Sequence, residues 1–188
     1  MRIYSIILAI VLFVMLTACS TITVRSDYDH SYDFSKYKTY RWSVESELNR
    51  RDALKRNPLV YKRVVSAVDK DLQAKGYTKK EAGKTDFVVA VHAGIKEKMQ
   101  IDQYSGARYG WYHPWWGPYG GYTNISYYKE GTLVIDIVDS ENKELAWRGT
   151  GTDVVKSYND GEKMQKDIDA AVAKILANFP PGAAMVGK

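Results

Sequence analysis

The feature that most constrains the fold of this chain is its single cysteine, Cys19, which directly follows an apolar N-terminal segment. One cysteine can form no intramolecular disulfide, and it cannot supply a zinc site built from several thiolates. The 188 residues must therefore be held together by a hydrophobic core, and that length suffices for one domain.

The first eighteen residues have the pattern of an export signal rather than of a folded element. Met1 and Arg2 give a short positive start, residues 3–16 form an apolar run, and two small residues follow. A helix that crosses a bilayer needs about 20 apolar residues, so this run of fourteen fits the core of a signal peptide better. We expect residues 1–18 to be removed.

Leu16-Thr17-Ala18-Cys19 resembles the bacterial lipobox. In proteins of that type the Cys thiol carries a diacylglyceryl group, the signal is cut before it, and the new amine is usually acylated, commonly with palmitate. Several acyl chains anchor a protein firmly, because each buried CH₂ contributes about 0.8 kcal/mol. The resemblance implies a membrane-anchored periplasmic lipoprotein. The other interpretation is an ordinary secretory signal followed by a chance cysteine.

The residue after the cysteine bears on which membrane holds the anchor. It is Ser20 rather than Asp, and in enteric-type bacteria similar lipoproteins go on to the outer membrane. We therefore expect the periplasmic face of the outer membrane, with inner-membrane anchoring or surface exposure as alternatives. The membrane, through this anchor, is the first partner that the sequence predicts.

The mature chain divides into a short tether, one domain and a tail. We expect residues 19–26 to form a lipidated tether or the start of a first strand, 27–181 to form a single domain, and 182–188 to be flexible. The consecutive prolines after Phe179 end the last helix. Residues 45–56 are highly charged, which predicts an exposed loop or a frayed turn.

Apolar periodicity predicts two helices. The first begins at Asn57-Pro58, an N-cap residue followed by proline at the first helical position, and ends at Gly76. The second spans residues 160–178 and has one apolar face. Their apolar stripes are Val60, Val64, Val68 and Leu72 in the first, and Met164, Ile168, Ala171, Val172, Ile175 and Leu176 in the second.

Alternating apolar residues predict the strands. Residues 39–42 and 86–99 form single strands, and residues 131–155 form an antiparallel hairpin with its turn at 140–143. The order of elements predicts an α+β fold, in which a mostly antiparallel sheet carries two amphipathic helices on one face.

The pattern as a whole resembles a bacterial lipoprotein family with a domain of unknown function, DUF4136. The resemblance extends from about residue 22 to 181. It is carried by residues 33–42 (DFSKYKTYRW), 57–60 (NPLV), 75–77 (KGY), 130–139 (EGTLVIDIVD), 144–149 (ELAWRG) and 173–181 (AKILANFPP). It implies a periplasm-facing lipoprotein and supplies no catalytic residue.

Residues 104–128 form an unusual insert, because ten of these 25 residues are aromatic and five are glycine. A segment of this length between two strands is either functional or disordered. Aromatic rings with polar tips suit contact with a protein partner, a lipid headgroup layer or a sugar ring. The candidate binding residues are Tyr109, Trp111, Tyr112, Trp115, Trp116, Tyr119 and Tyr122. A self-packed or flexible loop is the structural alternative.

The sequence carries no recognisable catalytic motif. The three histidines, His30, His92 and His113, show no metal-ligand spacing, and no phosphate-binding loop is present. Asp136 and Asp139 flank a strand, where a solvated face or a cross-strand pairing of Asp136 with Arg148 is the preferred interpretation over acid–base catalysis. We expect no catalytic residue, no metal and no cofactor.

The leading hypothesis is a non-catalytic binding or scaffolding role in the cell envelope, with an envelope protein or a glycan as partner. The alternative is an envelope hydrolase or a cell-wall glycan-binding module. A hydrolase requires at least two of His92, His113, Asp136, Asp139 and Arg148 to converge. Nucleic acid is not an expected partner, because the net charge is only +5 and basic residues are interspersed with acidic ones.

Overall fold

Strands and two helices form two layers, with the helices on one face of a single sheet. The computed structural model describes residues 22–43, 52–104 and 122–182. In chain order the elements are β1 (Thr23–Tyr28), a short 3₁₀ turn (Phe34–Lys36), β2 (Thr39–Trp42), α1 (Pro58–Ala74), β3 (Thr78–Lys79), β4 (Phe87–Tyr104), β5 (Tyr122–Asp139), β6 (Leu145–Val154) and α2 (Gly161–Leu176). The predicted α+β class is confirmed.

Within these residues the strand order across the sheet is β1-β6-β5-β4-β2-β3. Most neighbours are antiparallel, and β2 runs parallel to both β3 and β4. Parallel strands need a crossover connection, which α1 supplies between β2 and the following strands. The predicted hairpin is the β5–β6 pair, and the two-residue β3 is an element that the sequence pattern does not predict.

Helix α1 buries the predicted face but begins differently from expectation. Val64, Val68 and Leu72 are buried in the core, and Gly76 ends the helix with a φ of +89°. The side chain of Asn57 makes no capping hydrogen bond, and its Nδ2 donates instead to the Ala53 carbonyl at 2.8 Å. Asn57 therefore ties the helix start to the segment before it.

Helix α2 approaches β6 closely. Asp160 caps its N-terminus by accepting a hydrogen bond from the Glu162 N–H at 2.8 Å. On β6 a Cβ atom at Gly151 would lie 2.7 Å from Cδ1 of Ile175, and one at Gly149 would lie 2.6 Å from its Cγ2. Glycine at these two positions lets the helix backbone approach the sheet.

Aromatic side chains form the centre of the core. Phe179, which follows α2, is 1% exposed, and its ring lies 5.2 Å from that of Trp147 and 5.9 Å from that of Phe87. The Tyr77 ring also packs on it at 5.5 Å, and burial raises the pKa of Tyr77 to about 12. The chain that leaves α2 is thus fastened to the sheet by aromatic contacts.

Three regions are more ordered by tertiary contacts than their sequence suggests. Residues 52–54 were expected in an exposed loop, yet all three are buried, and the Ala53 N–H donates to the Ala93 carbonyl at 2.9 Å. Strand β4 continues to Tyr104 and β5 begins at Tyr122, so both ends of the predicted insert are strand. Residues 23–26 of the predicted tether belong to β1.

Candidate functional site

Charged side chains meet on the face of the sheet that the helices leave uncovered. Because side chains alternate along a strand, those neighbouring the core residues Val91 and Ile135 point to the opposite face. This places His92 of β4, Asp136 of β5 and Arg148 of β6 near one another. Asp52, from the buried segment before α1, completes the group. We call these four residues the outer-face cluster.

Asp136 and Arg148 form a bidentate pair across β5 and β6, as the preferred interpretation of the sequence predicts. Arg148 Nε donates to Asp136 Oδ1 at 2.6 Å, and Nη2 donates to Oδ2 at 2.7 Å. The hydrogen bonds to Asp136 raise the pKa of Arg148. The Asp136 side chain is only 7% exposed, whereas that of Arg148 is 49% exposed. The arginine therefore neutralises a buried carboxylate and reaches solvent.

Asp52 holds the other side of the cluster. Its Oδ1 accepts hydrogen bonds from the Leu54 N–H at 2.9 Å and the Ala93 N–H at 3.1 Å. Its Oδ2 lies 3.2 Å from His92 Nδ1, and His92 Nε2 lies 4.0 Å from the nearer oxygen of Asp136. The imidazole is thus placed between two buried carboxylates, and its side chain is 41% exposed.

The carboxylate oxygens of the outer-face cluster all have hydrogen-bonding partners within the cluster or on the main chain. Both oxygens of Asp136 accept from Arg148, and both oxygens of Asp52 have a partner. On the same face the hydroxyls of Thr132 and Thr152 lie 3.2 Å apart and bond each other. Buried carboxylates paired in this way stabilise the strand register.

Asp139 does not join the cluster. Its Oδ2 accepts a hydrogen bond from the buried Tyr37 hydroxyl at 2.8 Å, and its Oδ1 accepts the N–H groups of Glu141 and Asn142. Burial, followed by this contact, raises the pKa of Tyr37. Asp139 is therefore a structural cap of the β5–β6 turn.

His30 and His113 lie apart from the outer-face cluster or outside the described residues. His30 is exposed and packs against Tyr28 with ring centroids 4.3 Å apart, whereas His113 lies outside the described residues. Within the described ranges, His, Cys, Asp and Glu side chains nowhere gather in threes with the geometry to hold a metal ion.

Most of the predicted binding residues lie outside the described part of the chain. These are Cys19 and the candidate loop residues Tyr109, Trp111, Tyr112, Trp115, Trp116 and Tyr119. Tyr122, expected in the same loop, is the first residue of β5 and stands in register with Tyr104. The long pairing of β4 with β5 therefore brings both ends of the aromatic segment to one end of the sheet.

That pairing also creates an apolar surface that sequence reasoning missed. The hairpin arm, residues 95–104 of β4 and 122–131 of β5, extends past the helix layer. Four apolar side chains on or beside it are exposed, and we call them the arm patch: Ile95 (48%), Met99 (54%), Tyr127 (76%) and Val155 (41%). The signal that could have found it is the apolar alternation that continues beyond residue 93 on β4.

A protein-family model matches most of the chain, and this match shows to which family the protein belongs. The model described as Domain of unknown function (DUF4136) matches residues 24–181 of this chain. The chain belongs to this family. The resemblance predicted from the sequence blocks is thereby confirmed, and the matched range contains the whole sheet from Val24 and both helices of this DUF4136 protein. No curated protein matches the sequence.

Several solved structures are similar to this DUF4136 chain to different degrees. A PDZ domain protein from Parabacteroides distasonis is 13% identical, with a TM-score of 0.55, over 92% of this chain and 39% of that one. PelC from Paraburkholderia phytofirmans, a dodecamer, is 15% identical with a TM-score of 0.47, over 84% and 96%. A minor lipoprotein from Acinetobacter baumannii is 11% identical with a TM-score of 0.37, over 76% and 91%.

At 13% identity, the likeness to the Parabacteroides protein shows a shared fold and nothing further. The DUF4136 chain spans less than half the length of the Parabacteroides protein, whose fold it shares. Over the ranges that the structure describes, neither helix is long and apolar enough to cross a membrane.

Proposed function

We propose that this DUF4136 protein is a lipoprotein of the bacterial cell envelope with a non-catalytic binding or scaffolding role. The observation that carries the proposal is the lipobox-like Leu16-Thr17-Ala18-Cys19, which contains the only cysteine of the chain. Acylated Cys19 holds the domain at a membrane on the periplasmic side. We further propose that this is the outer membrane, because Ser20 rather than Asp follows the cysteine.

The start of the domain supports a role close to the membrane surface. Strand β1 begins at Thr23, only four residues after Cys19. Four residues span at most about 14 Å when fully extended. A domain on so short a tether starts within about 14 Å of the lipid headgroups, where a membrane-anchored partner is in reach.

The outer-face cluster favours a structural role for the most suggestive polar residues. Asp52, Asp136 and Arg148 use their hydrogen-bonding groups on one another, on His92 and on the main chain. Buried charges arranged in this way specify the pairing of neighbouring elements. The cluster then maintains the sheet, and binding falls to surfaces elsewhere on the domain.

Mass spectrometry of the native protein tests the anchor. We expect a mature N-terminus at Cys19 that carries diacylglyceryl and acyl groups, and we expect Cys19→Ser to remain unprocessed. Ser20→Ala is the matched control, because it changes the neighbouring residue and retains the thiol. An intact Met1 in the native protein, or a processed terminus without fatty acid, contradicts the proposal.

Cross-linking in living cells tests the binding role. A photoreactive residue at Tyr112, in the aromatic segment, should capture an envelope component, and one at exposed Glu141 in the opposite turn should not. Replacing Trp111, Trp115 and Trp116 with alanine should reduce capture and leave the fold intact. Equal capture from positions 112 and 141, or none from either, argues against a specific partner at this segment.

A hydrolase is the second candidate, because one observation favours it. Three of the groups that such an enzyme would need, His92, Asp136 and Arg148, lie together, and Asp52 orients the imidazole. His92 would then act as general base, with Asp52 holding its tautomer. Release of products from cell-wall fragments by the purified protein, lost in His92→Ala and retained in His30→Ala, would establish this activity.

A further inference from the structure

The hairpin arm loses its cover on the side where the helices pack. Along β4 the core-side residues Val89 and Val91 are 0% and 2% exposed, whereas Ile95 and Met99 are 48% and 54% exposed. Along β5 the same change occurs between Ile135, at 0%, and Tyr127, at 76%. Apolar side chains thus continue on this face after the helix layer has ended.

The arm also outruns its neighbouring strands. In the described residues β6 ends at Val154, opposite Glu130, and β2 ends at Trp42, opposite Val89. Beyond the Lys96–Glu130 pair, as far as the Tyr104–Tyr122 pair, the described strands pair only as β4 with β5, and the Val155 N–H donates to the Lys129 carbonyl at 2.8 Å. A two-stranded ribbon is marginally stable by itself in water, and an exposed apolar face adds a further cost. A surface that covers this face would stabilise the ribbon and would remove its apolar side chains from water.

The direction of β1 shows at which end of the sheet the N-terminal tether leaves. Thr23 of β1 pairs with Thr152, and Thr152 pairs with Thr132 of β5. The chain before Thr23 therefore leaves the sheet at the end from which the arm extends. The ten residue steps from Thr132 to Tyr122 cover about 33 Å at about 3.3 Å per step, whereas the tether to Cys19 reaches at most about 14 Å.

These two lengths bring the arm to the membrane. If acylated Cys19 sits at the lipid surface, an arm that runs toward the same surface and is more than twice as long as the tether must enter or lie along it. We propose that the arm patch lies on the headgroup boundary of the membrane that holds the anchor, as a second contact of the domain with lipid. This inference rests on the lipoprotein function proposed above.

The chemistry of the patch fits a lipid surface. Tyr127 and Met99 offer apolar surface, and tyrosine is favoured at membrane interfaces because its hydroxyl stays in the wet layer. Glu97 and Lys129, the cross-strand pair on this face between the Met99–Tyr127 pair and Ile95, lie 4.0 Å apart and neutralise each other. The face therefore carries no net charge, and the Lys129 stem can lie along lipid with its ammonium in the headgroups.

The test uses the full, acylated protein in vesicles of phosphatidylethanolamine and phosphatidylglycerol. Since acylation blocks the only native thiol, Met99→Cys and Tyr127→Cys can each carry one environment-sensitive dye. Glu141→Cys, in the exposed turn at the other end of β5, is the matched control. Circular dichroism establishes that each labelled variant is folded. Lipids that carry a quencher near the headgroup then report contact.

We expect quenching at positions 99 and 127 to exceed that at position 141 by about threefold or more, because an interfacial face is buried about 5–10 Å into the headgroup region. Equal quenching at the three positions, in protein that floats with the vesicles and carries the lipid by mass spectrometry, overturns the inference and leaves the anchor standing. Lipid-independent cross-linking between Met99→Cys copies overturns it in favour of a second copy. Failure to float, with no acyl group detected, overturns the anchor itself.

Discussion

Arg148 joins Asp136 through two hydrogen bonds of 2.6 and 2.7 Å, on the open face of the sheet and directly across the β5–β6 pair. Removing the guanidinium leaves a buried carboxylate without its charge partner, which costs more than a surface pair is worth. Because Arg148 is half-exposed, water offsets part of this cost. We expect Arg148→Met to lower the free energy of unfolding by about 2 kcal/mol, as measured by urea denaturation.

Arg25→Met is the matched control, since Arg25 is an exposed arginine on the neighbouring strand β1. It should change stability by less than about 0.5 kcal/mol. Equal effects of the two substitutions would mean that the Asp136–Arg148 pair contributes no more than a surface contact.

Asp86 makes stability depend on pH at the acid end. Burial alone would raise its pKa, but the Lys38 and Thr39 N–H groups, at 2.9 and 2.7 Å, and the Thr39 hydroxyl lower it. A depressed folded pKa adds stability above the unfolded value of about 3.9, and this is lost as pH falls toward the folded value. Asp86→Asn should therefore be less stable than wild type by about 1–2 kcal/mol at pH 7.

The difference between Asp86→Asn and wild type should narrow as pH is lowered below about 4, measured by urea denaturation across pH. Glu141→Gln, at an exposed carboxylate in the turn, should follow the wild-type curve. A gap for Asp86→Asn that stays constant from pH 7 to pH 2 would exclude the carboxylate charge as its cause.

Gly149 is required by the approach of α2 to the sheet. A methyl group there would lie 2.6 Å from Ile175 Cγ2 and closer still to the Trp147 ring, both of which are buried. Overpacking of this kind costs about 1–3 kcal/mol, so Gly149→Ala should lower the thermal midpoint by several degrees. Gly94→Ala is the control, because a Cβ there meets no atom within 4 Å. An unchanged thermal midpoint in Gly149→Ala would show that α2 can move away from the sheet without loss of stability.

Asp52 should determine how firmly the segment before α1 is attached. Its carboxylate accepts the N–H groups of Leu54 and Ala93, so Asp52→Ala should accelerate hydrogen exchange at both amides by about tenfold or more. His92→Ala removes the imidazole and keeps those two hydrogen bonds, so exchange there should change little. Comparable acceleration in both variants would assign the attachment to His92.

Periodicity in the sequence predicted both helices and the central parts of the long strands, although not the two-residue β3 or the full length of β5. The stripe through Val64, Val68 and Leu72 predicts α1, and the alternation around Ile135 and Ile137 predicts β5, because burial on one face imposes its period on the residues. The family could also be predicted from the sequence, because the segments that carry the DUF4136 resemblance are short and continuous. The role of Asn57 could not be predicted in this way. Its side chain can bond either the helix N-terminus or the preceding segment, and in the structure it donates to the Ala53 carbonyl.

Residues near one another in the chain were enough to indicate the two helices and the pairing of β5 with β6, and to predict an export signal before the lone Cys19. Only the tertiary structure decided the sheet order, the burial of Asp52 beside His92, and the length of the β4–β5 arm past the helices. These depend on contacts between residues distant in sequence. Such contacts form only where chain topology and core packing bring the strands together, and no local pattern encodes them.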